Sequence, residues 1–105
     1  MDTAEARSRL ASMLDDLDRS IAILRGESPE PGDPGAVLSD HDRLEAAVAA
    51  LERHRRGVMA ALERIDAGTY GLCVDCGRPV PEGRLEARPD AARCVACQSE
   101  HDRRW

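Results

Sequence analysis

The chain has 105 residues, 42% of them hydrophobic and 33% charged, with a formal net charge of −5, no Phe, one Tyr and one Trp. That length suits one small domain, whose modest core usually needs a metal or a disulfide as support. The acidic balance disfavours a fold that wraps nucleic acid, because that affinity comes from neutralising phosphates, and the longest apolar run, Ala46 to Leu51, is too short to span a bilayer.

Residues 3 to 25 place Leu10, Leu14, Leu17, Ile21 and Leu24 at alternating spacings of four and three, with Met13 widening the stripe. This is the pattern of an amphipathic helix, and Gly26 stands where a helix C-terminal glycine belongs. Residues 27 to 38 contain three prolines and two glycines, which exclude a continuous helix. Acidic residues Glu27, Glu30, Asp33, Asp40 and Asp42 gather in and just after this segment, with no Lys or Arg between Arg25 and Arg43.

A second helix is expected to start at Ser39 or Asp40, either of which can cap the first free amides. Its stripe is Leu44, Val48, Leu51, Val58, Leu62 and Ile65, with Arg55 filling the slot between Leu51 and Val58, and Gly68 just past its end. A charged residue on such a seam costs stability but can fix register. Two long amphipathic helices with a short connector are expected to fold back as an antiparallel pair rather than pair with another molecule. The second would be about 40 Å long, placing an acidic tip well away from the rest of the chain.

Residues 68 to 98 are rich in Gly and Pro and poor in apolar side chains, so they need a staple to fold. The staple is legible as Cys73-x2-Cys76, seventeen residues, then Cys94-x2-Cys97. Two residues between ligands let one turn of backbone place two sulfurs on one tetrahedral ion, and two such knuckles complete its shell. Four thiolates leave no open position, so one structural Zn²⁺ is expected and not a catalytic metal. The competing reading is a redox dithiol. Gly71 and Gly77 flank the first knuckle and can take the positive φ values that such turns need. His101 is a poor candidate ligand beside four cysteines, His41 and His54 are expected on the helix surface, and none of the three faces a plausible nucleophile, so no enzyme is suggested. Arg78, Arg84, Arg88 and Arg93 are balanced by Asp75, Glu82, Glu86 and Asp90, and Tyr70 is the only aromatic platform, which disfavours direct DNA or RNA binding.

The fold class expected is therefore mainly α: an antiparallel helical hairpin over residues 1–67 with an acidic tip at about 27–42, a four-cysteine zinc finger over 68–98, and a short C-terminal helix or tail over 99–105. The N-terminus lacks a secretory pattern, and paired Cys-x2-Cys motifs fit a reducing compartment, so a cytoplasmic monomer is expected.

The stretch Gly68-Thr-Tyr-Gly-Leu-Cys73-Val-Asp-Cys76-Gly, followed by Arg84-Leu-Glu-Ala-Arg-Pro89 and Cys94-Val-Ala-Cys97-Gln, resembles the DksA/TraR zinc-finger family. The resemblance implies binding to bacterial RNA polymerase and not to DNA. In that family the zinc module and C-terminal helix dock at the rim of the secondary channel, and the hairpin carries its tip toward the active site, altering initiation. By this resemblance Glu30, Asp33, Asp40 and Asp42 are candidate partner-binding residues of the tip, and Arg88 is a candidate contact to the nucleotide ppGpp. Two departures stand out. The family's tip has two Asp three apart and then an Ala; starting from Asp33, this chain has Ala36 and Leu38 there, and an ungapped alignment from the cysteines gives Glu30, Asp33 and Gly35. Other basic nucleotide-contacting positions are Gly57 and Gln98, so a strong ppGpp response is not expected. The alternative reading is a zinc-stabilised adaptor, or a zinc- or redox-responsive protein, with another partner.

Overall fold

A computed structural model describes residues 2–26 and 38–103. Four helices follow in chain order: α1 (Thr3–Leu24), α2 (Leu38–Ala67), α3 (Glu82–Ala87) and α4 (Val95–Arg103). No strand occurs among the described residues; Leu72 and Pro79 form one isolated antiparallel bridge. The fold is the mainly helical one expected.

Local chemistry sets the helix ends. The Asp2 carboxylate accepts from the Glu5 amide at 2.8 Å, capping α1. Gly26, at φ 74°, closes the other end with its amide on the Ile23 carbonyl. At the end of α2, Gly68 (φ 78°) donates to the Ile65 carbonyl and Thr69 to that of Arg64. These two bonds are the glycine-dependent C-terminal motif that satisfies the last carbonyls. The start of α2 differs from expectation. It begins at Leu38, so Ser39 and Asp40 lie inside its first turn instead of capping it; sequence fixes helix ends only to within a residue or two, because backbone hydrogen bonding in the last turn decides them.

α1 and α2 pack against each other around Leu10, Leu17, Val58 and Ala61, with Met13, Leu14, Leu51, Leu62 and Ile65 half-buried beside them. Ion pairs along the flanks run Arg7–Asp66 (2.8 Å), Asp18–Arg55 (2.6 Å) and Arg25–Glu52. Residue numbers rise along one helix as they fall along the other, so the helices are antiparallel within one chain. Arg55, on the seam of α2, turns outward to Asp18 and remains 40% exposed. The expected stripes are the packed ones, with two additions: Ala6 and Ala61 are fully buried, which lets the helices approach closely. The seam thins toward the far end, where Leu44 is 37% exposed. The molecule is elongated, 51 × 33 × 21 Å.

Candidate metal centre

The cysteines come from two differently built turns. The first is a tight backbone loop. Val80 donates to the Gly71 carbonyl (2.7 Å), Cys73 to that of Arg78 (2.8 Å), and Gly77 to that of Cys73 (2.9 Å). Gly71 and Gly77 hold φ values of 88° and 74°, as the spacing required. The second is a helix start: Cys94 immediately precedes α4, Cys97 lies in its first turn, and Gln98 donates to the Cys94 carbonyl at 2.9 Å. The last helix thus begins at Val95 and carries a cysteine of the cluster, a feature the spacing alone did not reveal. A helix N-terminus favours a thiolate through its free amides. One amide of the first loop, Val74, donates to the Ala92 carbonyl at 2.9 Å and ties the two turns together.

The four sulfurs lie within 4.8 Å of one another, and Cys76 Sγ stands 3.9 Å from Cys94 Sγ. Sulfurs around a tetrahedral zinc at 2.3 Å are separated by about 3.8 Å. A disulfide needs about 2.05 Å, and all four cysteines are free thiols. Burial alone would push the Cys73 thiol up. Backbone amides of Cys76, Cys94 and Asp75, and the Cys76 thiol, outweigh it and bring Cys73 down to about 6. Cys97 is pushed up to about 12 by its hydrogen bonds with Cys94 and Cys73, reinforced by burial. The donor set and spacing fit one structural zinc, with no position left for substrate.

Cys73, Val80 and Leu85 form the buried part of the module, with Tyr70, Ala91, Cys94 and Cys97 half-buried around them. So small a core explains the need for a metal. The arginines and acids that looked merely balanced in sequence are partly structural: Arg93 Nε donates to Asp75 Oδ2 (2.8 Å), and Arg84 Nε to the Arg93 carbonyl (3.0 Å). His101 is not in the cluster. His41 pairs with Glu45 at 3.0 Å on the surface of α2, and His54, 42% exposed, meets Asp90 of the zinc module at 3.4 Å.

Of the candidate tip residues, Glu30 and Asp33 fall outside the described residues, Asp40 is in the first turn of α2, and Asp42 is exposed on the next. Arg88 is exposed at the end of α3, beside a hollow of about 380 Å³ shared with Arg84, Asp90, Arg93 and Gln98. Among the described residues, no helix is long and apolar enough to cross a membrane.

Residues 68–103 match the family described as prokaryotic dksA/traR C4-type zinc finger. The RNA polymerase-binding transcription factor DksA of Caulobacter vibrioides is 48% identical over 83 residues, which are 79% of this chain and 54% of that protein. The Escherichia coli protein of the same name is 25% identical over 88 residues, 81% of this chain and 58% of its own. The chain thus spans a little over half the length of these relatives. Among solved structures, transcription factor DksA2 of Pseudomonas aeruginosa superposes with a TM-score of 0.74 at 25% identity, over 98% of this chain and 87% of that one. The DnaK suppressor protein of Agrobacterium tumefaciens gives 0.70 at 28% identity, over 95% and 94%. The curated relatives that carry a functional name are called transcription factors and not enzymes.

Proposed function

Residues 68–103 of this chain belong to the DksA/TraR C4-type zinc-finger family, and on that premise we propose that the chain is a non-enzymatic, cytoplasmic, monomeric regulator that binds bacterial RNA polymerase. The zinc module, with Cys73, Cys76, Cys94 and Cys97 as ligands, is the base. The paired helices α1 and α2 are the rod that enters the secondary channel, and initiation changes without DNA contact.

The observation that carries this reading is the joining of that zinc module to a stiff intramolecular hairpin. At 1.5 Å per residue, the 30 residues of α2 extend about 45 Å, enough to carry acidic groups deep into a channel. Asp42 on the exposed face of α2, and Glu30, Asp33 and Asp40 by sequence position, supply negative charge for basic side chains or a bound Mg²⁺. Arg88 is the residue proposed to meet a nucleotide. With Gly57 and Gln98 at the other positions, a strong response to ppGpp is not expected.

Co-purification with core RNA polymerase, lost when another secondary-channel factor is added, is the expected result. Absence of binding at micromolar concentration overturns the reading. The degraded tip motif favours a second reading, an adaptor for another protein, which a pull-down recovering a different partner without polymerase would select.

A further inference from the structure

The zinc module meets the rod along one face of α2, at His54, Gly57 and Arg64, which share a face at helical spacing. Arg64 is unusual: its Nε and Nη2 are buried and have no hydrogen-bond partner among the described residues. A guanidinium is always charged, and a buried charge without compensation is costly. Burial pulls the Arg64 pKa down; Tyr70 and Asp90 act against that, and Arg93 adds to it.

Asp90 is the acid placed to compensate. It belongs to the zinc module, four residues before Cys94, yet its side chain is only 12% exposed and its Oδ2 lies 3.4 Å from His54 Nε2. The same oxygen lies 3.8 Å from where a Cβ on Gly57 would stand. A Cβ at 57 would make only ordinary contact with the carboxylate, whereas a longer side chain would compete with it for its seat against α2. One further hydrogen bond crosses the joint: Arg9 of α1 donates to the Glu86 carbonyl (2.7 Å), while within the module Tyr70, which also packs against the α1–α2 core, donates its hydroxyl to the Pro89 carbonyl (2.9 Å).

We infer that Asp90 is a positioning residue: seated over Gly57, against His54 and in the field of buried Arg64, it fixes the angle between the zinc module and the rod. The exposed hydrogen bond from Arg9 to the Glu86 carbonyl permits some rotation. The seating of the Asp90 carboxylate does not, because turning the module away removes the compensating charge and opens Arg64 Nε and Nη2 to water, so loosening the joint and hydrating Arg64 occur together. That the angle matters for aiming the tip rests on the function proposed above; the existence of the joint does not.

The test uses the zinc-loaded full chain in solution, without polymerase. Backbone N–H residual dipolar couplings from residues 45–65 and 71–97 report the relative orientation of rod and module. In the unaltered chain both sets fit one alignment tensor, and the Arg64 Nε–H exchanges slowly with water. In Asp90→Asn, which keeps the shape and removes the charge, the module's tensor shrinks relative to the rod's and Arg64 Nε–H exchange speeds up at least tenfold, with zinc content unchanged. Gly57→Gln, which leaves Asp90 in place but fills its seat, does the same, whereas Gly57→Ala does not, since its Cβ makes only ordinary contact. A single shared tensor and slow Arg64 exchange in both Asp90→Asn and Gly57→Gln overturn the inference. A polymerase-binding failure leaves it untouched.

Discussion

At the scale of single residues, the four cysteines do the most. The four sulfurs lie within 4.8 Å of one another, close enough to share one ion, and a hydroxyl is a far weaker zinc ligand than a thiolate. Cys76→Ser should therefore remove most of the roughly 10–16 kcal/mol that structural zinc supplies to such modules. The expected outcome is a zinc-to-protein ratio near zero and collapsed amide dispersion for residues 71–100. The α1–α2 signals around Leu10 and Val58 should persist, since that core contains no ligand. Acid should act in the same direction. Zinc binds thiolates, so protons compete with it, and the apparent zinc affinity should weaken steadily as pH falls from about 8 to about 6. Competition with a chromophoric chelator measures this, and affinity constant across that range would contradict thiolate ligation.

At the scale of elements, α1 and α2 are held by a core that is strong near the zinc module and thin at the far end. Leu10 is fully buried between the helices, while Leu44 is 37% exposed. Leu10→Ala should cost about 2–5 kcal/mol, and Leu44→Ala about 1 kcal/mol or less; thermal denaturation of the two variants checks the gradient. The periodic leucines were readable from sequence because a helix buries one face. Ala6 and Ala61 were not, because an alanine is compatible with either face, and only the close approach of the partner helix decides. Arg55 posed the opposite problem. On the seam by number, it is excused from the core by Asp18 across the hairpin, a long-range pairing no local pattern carries. The second pair of cysteines was readable as a knuckle by spacing, yet it is built on the start of α4, because spacing specifies how far apart ligands lie and not the backbone between them.

At the scale of the whole molecule, 51 Å along its longest axis, a metal-supported base presents a long hairpin. Fold and action are separable in such a design. Asp33→Ala should leave the unfolding temperature and zinc content unchanged, since the α1–α2 core and the cysteine cluster lie in other segments of the chain. It should reduce the effect on initiation in a purified transcription assay severalfold. An unchanged transcriptional effect would reduce the tip to a connector and move the activity to the module or the helix flanks.

Sequence alone determined the helix stripes, the glycine stops, the four-cysteine set and the zinc it calls for, because each follows from period, backbone freedom or ligand chemistry confined to a few neighbouring residues. Only the tertiary structure decided how the module sits on the rod. The contacts between the two join residues far apart in the chain: Asp90 with His54, and Arg9 with Glu86. Such contacts exist only once both parts have folded.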